Sequence, residues 1–227
     1  MAKVQRTREL MLPMKVWDGP IRLFHWGIAL LVITSFVTQY QGWMQLHFLS
    51  GYAMLTALLF RVVWGFAGSD TARFGRFLKS PVAAVQYLGR IGRREPDTQV
   101  GHNAAGGWMV LVLLLLLAMQ VGTGLFSNDD VNARGPLALR VGKAISDTFS
   151  HWHAVNFWLI LAGITLHVLV VGAYAVLKGQ NLVRPMITGK KRLPGRTPAP
   201  RLRSPLLAGA IFTVSAGLVW AALWLLA

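Results

Sequence analysis

Five stretches of the chain carry almost no polar positions. They run from Ile21 to Tyr40, His47 to Ala67, Ala104 to Phe126, Trp152 to Leu177 and Pro205 to Ala227. Each is as long as the roughly 20 residues an α-helix needs to cross a bilayer. The third holds the run LVLLLLLAM, and the second is interrupted by one charge, Arg61. None alternates with the period of two that marks a half-buried strand. The pattern therefore predicts five membrane-spanning helices in an all-α protein. The segment ahead of the first run is polar, and no small-residue cleavage site follows it. The run is thus expected to stay as a signal-anchor. Phe74–Arg94 mixes apolar with basic residues, which suits a helix lying in the headgroup plane. Leu137–Phe149 could form a similar helix on the other side. Segment 189–204, GKKRLPGRTPAPRLRS, reads as a linker.

Composition changes one part of this picture. The chain has 227 residues, 23 Lys and Arg against 8 Asp and Glu, and a net charge of +15. A soluble protein with that balance would point to nucleic acid. Here 54% of residues are hydrophobic and only 14% charged, and mean hydropathy is +0.49. The basic residues also alternate with the spans. Five lie in segment 1–22 (Lys3, Arg6, Arg8, Lys15, Arg22), six in segment 68–103 and eight in segment 178–204. These three segments fall on one side if all five runs cross. Segment 127–150, on the other side, balances three basic residues with Asp129, Asp130 and Asp147. The positive-inside rule then puts the N-terminus in the cytoplasm and the C-terminus outside. Anionic lipid, not nucleic acid, is the partner this charge implies. With no cysteine, disulfides, thiolate zinc sites, iron–sulfur clusters and C-x-x-C-H haem attachment are excluded.

The chemistry rests on histidines. Ionisable side chains within spans are costly and tend to be functional. His25 lies near the inner end of span one, and His47 and His153 at the outer starts of spans two and four. His167 is about 21 Å further along span four than His153 at 1.5 Å per residue. Fourteen residues also return to within about 40° of the same face, whereas His151 falls about 160° away from His167. His25 with His167, and His47 with His153, thus form two pairs at two depths. The adjacent His-Trp-His sequence leaves an exchange between His151 and His153 open. Facing imidazoles without thiolate or carboxylate neighbours suit the two axial positions of a haem iron. Arg61 shares the face of His47 at the depth of the inner pair and needs an anionic partner there; a haem propionate would supply one. Arg22, one turn before His25, could do likewise or serve as ordinary positive-inside charge. His102 and Asn103, at the inner start of span three, are candidates for a quinone. Gly51, Gly122, Gly124 and Gly163 would allow helices or cofactor to approach closely.

The motifs VWDGPIRLFHW at 16–26, His47 with SGY at 50–52, RVVWGFAG at 61–68, ARF at 72–74, GHN at 101–103, WHA at 152–154 followed by His167, and NLVRPMITGKK at 181–191 carry a family resemblance. Taken in order, the set is similar to the bacterial cytochrome b561 and nickel–iron hydrogenase cytochrome b subunit family. The resemblance covers about residues 14–191. It implies a four-helix transmembrane haem-binding bundle with two haem b groups, held by His25/His167 and His47/His153. It also implies electron exchange between the quinone pool and a periplasmic or membrane redox partner. The expected organisation is a di-haem domain over 14–191, a basic Pro-rich cytoplasmic linker over 192–204, and an additional C-terminal transmembrane helix over 205–227. The chain would be an electron-transfer subunit of an oxidoreductase, quinone-reducing in one version, with homo-oligomerisation left open. The alternatives are a superoxide-oxidising member of the family and a haem-free proton or anion transporter. The repeats and matched broken helices often seen in transporters are missing from the sequence.

Overall fold

A computed structural model describes residues 10–90, 92–93, 98–131 and 133–226. Lys3, Arg6, Arg8 and Arg94, counted above among the basic residues, lie outside these, as does Ala227. Five helices are long and apolar enough to cross a membrane. They are α1 (Gly19–Tyr40), α2 (Met44–Ala67), α5 (Ala104–Phe126), α6 (Lys143–Leu177) and α8 (Pro205–Leu226). Helix α1 packs on α2, α5 on α6, and α2 on α5; α8 lies against α2 and α1.

The starts of α1 and α5 follow from capping. The Asp18 carboxylate accepts from the Ile21 amide at 2.6 Å, with Pro20 in the first turn of α1. The Asn103 side chain accepts from the Gly106 amide at 2.7 Å and so caps α5. Helix α6 is longer than the fourth apolar run. Its 35 residues extend about 52 Å, well beyond a hydrocarbon layer of about 30 Å. The separate outer helix expected over Leu137–Phe149 is therefore corrected. A 3-10 turn at Ala138–Arg140 precedes Gly142, and Lys143 onward is the projecting start of α6.

Phe74–Arg94 is also not one helix. It forms α3 (Phe74–Phe77) and α4 (Pro81–Leu88). Pro81 disfavours helical backbone at the residue before it, and Ser80 is extended with ψ 149°. The expected linker begins with structure as well. Strand β2 (Lys190–Pro194) pairs antiparallel with β1 (Met11–Lys15), Met14 opposite Lys191. Between α6 and β2, the short α7 (Val183–Thr188) ends at Gly189 with φ +76°. The Gly189 carbonyl accepts from the Val16 amide at 2.8 Å. A Cβ on Gly189 would stand 2.9 Å from the Trp17 carbonyl oxygen, so the left-handed turn and the close approach both require glycine.

Two apolar clusters stack along the bundle. One gathers Val16, Trp17, Ile21, Phe60, Trp64, Ala72, Leu193 and Ala208 at the end where β1 and β2 lie. The other, Met54, Leu58, Leu117, Val121 and Ile160, fills the middle. Many other large apolar side chains are exposed, including Leu23, Phe66, Leu169 and Trp220. That outward surface is expected where lipid is the solvent.

Candidate functional site

The structure brings the histidines together in two pairs. The His25 and His167 ring centres are 6.3 Å apart, and so are those of His47 and His153. The pairs join α1 to α6 and α2 to α6. Along α6 they are about 21 Å apart, with the middle apolar cluster containing Met54, Leu117 and Ile160 nearby. His151 is exposed, whereas His153 is half-buried.

In the outer pair both rings are oriented by backbone carbonyls. His47 Nδ1 lies 2.9 Å from the Ser35 carbonyl oxygen, and His153 Nδ1 lies 2.9 Å from that of Gln120. A carbonyl only accepts, so each Nδ1 carries a proton, and Nε2 is the nitrogen that can offer a lone pair. Gln120 Nε2 donates to His153 Nε2 at 3.2 Å. The Gln120 carbonyl oxygen of the side chain accepts from Asn156 at 2.7 Å. Around this pair lies a cavity of about 470 Å³, lined among others by Ser35, Gly51, Leu117, Gln120, Gly124 and Ile160. Gly51 and Gly122 have no atom near the position of an added Cβ. A Cβ on Gly124 would come within 3.0 Å of the His153 ring, and one on Gly163 within 3.0 Å of Leu113.

The inner pair has different surroundings. His25 Nδ1, Arg61 Nη1 and His102 Nδ1 are all buried without a hydrogen-bond partner among the described residues. Arg61 is only 2% exposed, and its guanidinium lies 4.7 Å from the Phe74 ring centre and 5.8 Å from that of Phe77. Among the described residues no carboxylate forms an ion pair with it. Asp18, also buried, accepts instead from the Trp64 indole at 3.1 Å and from the Ile21 amide. The His102 ring is held edge-on by Trp17 at 4.7 Å and by Phe77 at 5.0 Å. Burial, then the charge of Arg61, pushes its pKa down to about 3, so His102 is neutral at physiological pH.

Two other candidates are committed elsewhere. Arg22 donates to the carbonyls of Ile187 and, at 3.3 Å, Asp18, tying α1 to α7. Asn103 caps α5 and donates to the Tyr174 hydroxyl at 3.2 Å. Sequence reasoning missed Ser35, Gln120 and Asn156. Their polarity inside apolar runs was the available signal.

Imidazoles bound to opposite faces of one ion, with metal–nitrogen bonds of about 2 Å, have ring centres about 6 Å apart. Both pairs meet that spacing. Among the described residues no group of three His, Cys, Asp or Glu side chains comes together, so the donor set is two nitrogens per site. A membrane-spanning helical bundle with imidazole pairs facing each other between its helices has the form of a b-type cytochrome. The family model for prokaryotic cytochrome b561 matches residues 16–189, and the chain belongs to that family. Haem b is the cofactor that membership implies.

Several relatives share this extent. A Rhizobium leguminosarum bv. viciae protein is 24% identical over 215 residues, covering 78% of this chain and 87% of its own length. One from Escherichia coli K12 is 25% identical over 212 residues, with 77% and 88% covered. One from Azotobacter vinelandii is 22% identical over 209 residues, with 77% and 86% covered. The first and third are named probable Ni/Fe-hydrogenase B-type cytochrome subunits, and the second a probable Ni/Fe-hydrogenase 1 B-type cytochrome subunit. No solved structure matches the chain.

Proposed function

We propose that this protein is a di-haem cytochrome b subunit that carries electrons across the membrane between a hydrogenase-type redox partner and the quinone pool. The observation that carries the reading is the repeated 6.3 Å separation of His25/His167 and His47/His153 at two depths. The names of the relatives supply the hydrogenase.

His25 and His167 would hold the inner haem, His47 and His153 the outer one. When bound, haem supplies an iron that takes up and releases single electrons without an open coordination site. The chain's own residues set the conditions for that. The carbonyls of Ser35 and Gln120 hold the outer rings by Nδ1–H, which directs each Nε2 to the metal once the Gln120 side-chain amide gives up its bond to His153 Nε2. Arg61 Nη1 and His102 Nδ1, both buried and unpartnered, are donors for an anionic or carbonyl oxygen. We assign Arg61 to a haem propionate. His102 serves either a propionate or a quinone carbonyl. Asn103 is occupied as a cap and contributes position only, as does Arg22. Phe74 and Phe77 cover Arg61 and keep water from it. The three basic segments mark the cytoplasmic face, so the inner pair is cytoplasmic and the outer pair periplasmic.

His167→Ala tests the assignment. Purified in detergent, the variant is expected to lose about half of the bound haem and one of two b-type components in the reduced-minus-oxidised spectrum. An unchanged spectrum and haem content would overturn the inner ligand set. His151→Ala is expected to leave both components intact.

A further inference from the structure

The turn after α2 and the segment entering α8 meet at one end of the bundle, and their charges do not cancel. The Asp70 amide donates to the Arg201 carbonyl at 3.0 Å. The Arg201 amide donates to the Asp70 carboxylate at 3.1 Å, and the Arg203 amide to the Ser69 hydroxyl at 3.0 Å. These contacts fix a pocket of about 210 Å³ lined by Asp70, Arg73, Arg76, Arg201, Leu202 and Arg203. Four arginines and one aspartate therefore line it. Asp70 is already engaged, by the Arg201 amide and by Arg73 at 3.9 Å. Arg73 also spends its Nε on the Gly68 carbonyl at 2.9 Å. The side chains of Arg76, Arg201 and Arg203 make no hydrogen bond or ion pair with the described residues.

The position of this surplus is as informative as its size. Span α2 ends at Ala67 and span α8 begins at Pro205, so the pocket sits where two spans leave the hydrocarbon. Immediately beyond it on α8, Leu206 is 85% exposed, an outward apolar side chain suited to an acyl chain. A basic pocket at a membrane boundary beside an apolar helix face matches an anionic headgroup joined to acyl tails. Arginine binds phosphate oxygens in pairs, and phosphate is the anion that a phospholipid headgroup presents at this boundary.

We propose that Arg76, Arg201 and Arg203, with Arg73 behind them, bind the phosphate of an anionic phospholipid at the junction of α2 and α8. The bound lipid joins the C-terminal helix to the bundle by neutralising charge that the described residues leave unpaired. The site is independent of haem and needs only that α2 and α8 span the membrane. A soluble phosphate offers the same oxygens without the tails, and the experiment separates the two.

The full-length haem-containing protein is purified in a zwitterionic detergent, and its thermal unfolding is followed with phosphatidylglycerol, cardiolipin, phosphatidylcholine or inorganic phosphate added. Phosphatidylglycerol and cardiolipin are expected to raise the midpoint by roughly 5 °C at saturating lipid. Phosphatidylcholine and phosphate are expected to leave it unchanged. R201Q/R203Q should lose more than half of the lipid effect, and so should R76Q, which removes one exposed side chain without touching the backbone contacts. K190Q/R192Q removes the same charge from exposed positions on β2 and should keep the full effect. Inorganic phosphate acting as strongly as the lipids would assign the pocket to a soluble anion and overturn the lipid. An equal lipid effect in wild type and R76Q, or an equal loss in K190Q/R192Q, would overturn the site.

Discussion

Gly124 lies where an added Cβ would stand 3.0 Å from the Cε1 and 3.2 Å from the Nδ1 of His153. That ring is not free to retreat, because its Nδ1 is bonded to the Gln120 carbonyl. Gly122, two residues earlier, has nothing within 4 Å of such a Cβ. Gly124→Ala is therefore expected to shift one b-type midpoint potential by a few tens of millivolts, or to lower outer-haem occupancy, while Gly122→Ala does neither. A redox titration of the two variants beside wild type checks this; equal behaviour would remove the steric argument. The two glycines carry the same signal in the sequence, and only the packing of α5 against α6 separates them. The histidines were more legible, since a 14-residue spacing fixes both face and depth on a helix whose geometry is known in advance. Asp18 was opaque for the opposite reason. Its contact with Trp64 spans 46 positions, and no local period reports a contact of that kind.

At the level of elements, the five spans were legible because a bilayer demands length and apolarity together. Their ends were less so. Hydropathy marks where lipid begins, whereas α6 runs on through Lys143 into water, where its polar residues carry no hydropathy signal. The β1–β2 pairing was hidden because both strands are short, neither alternates regularly, and four spans separate them. Helix α8 shows what is recovered only from packing. Its buried side chains are Ala208, Ser215 and Val219, with Ile211 packed beside them, a stripe at helical spacing that faces α2. Phe212 meets the Phe60 ring edge-on at 6.1 Å. Ser215→Leu is expected to overpack this face and destabilise the protein by about 1–3 kcal/mol, read as a lower thermal midpoint. Both haem bands should remain, because among the described residues the ring contacts and hydrogen bonds of both histidine pairs are made with other elements. Thr213→Leu, on the exposed side of the same helix, should leave the midpoint unchanged. A loss of haem in Ser215→Leu would mean that α8 supports the ligand helices directly.

For the molecule as a whole, the family motifs do two different jobs. His25, His47, His153 and His167 pair across helices. The residues around them in the motifs Trp17, Asp18, Trp64, Ala72, Asn103 and Gly189 close one end, and they do so by caps, buried rings and a left-handed turn. The same end collects the basic segments. Strand β1 pairs with β2, Lys191 donates to the Gln99 carbonyl at 2.7 Å, and Arg201 meets Asp70. Segments from three parts of the sequence thus share one face of the bundle, as five crossings require. The orientation proposed above rests on charge alone, since anionic lipid and the insertion machinery retain Lys and Arg in the cytoplasm. The chain contains no cysteine, so a single introduced thiol reports only its own position. In intact bacterial cells, Leu139→Cys, 77% exposed in the outer connection, should react with a membrane-impermeant maleimide. Lys190→Cys, exposed on β2, should react only after the membrane is opened. The opposite pattern would invert the bundle and move the His25/His167 pair to the periplasmic side.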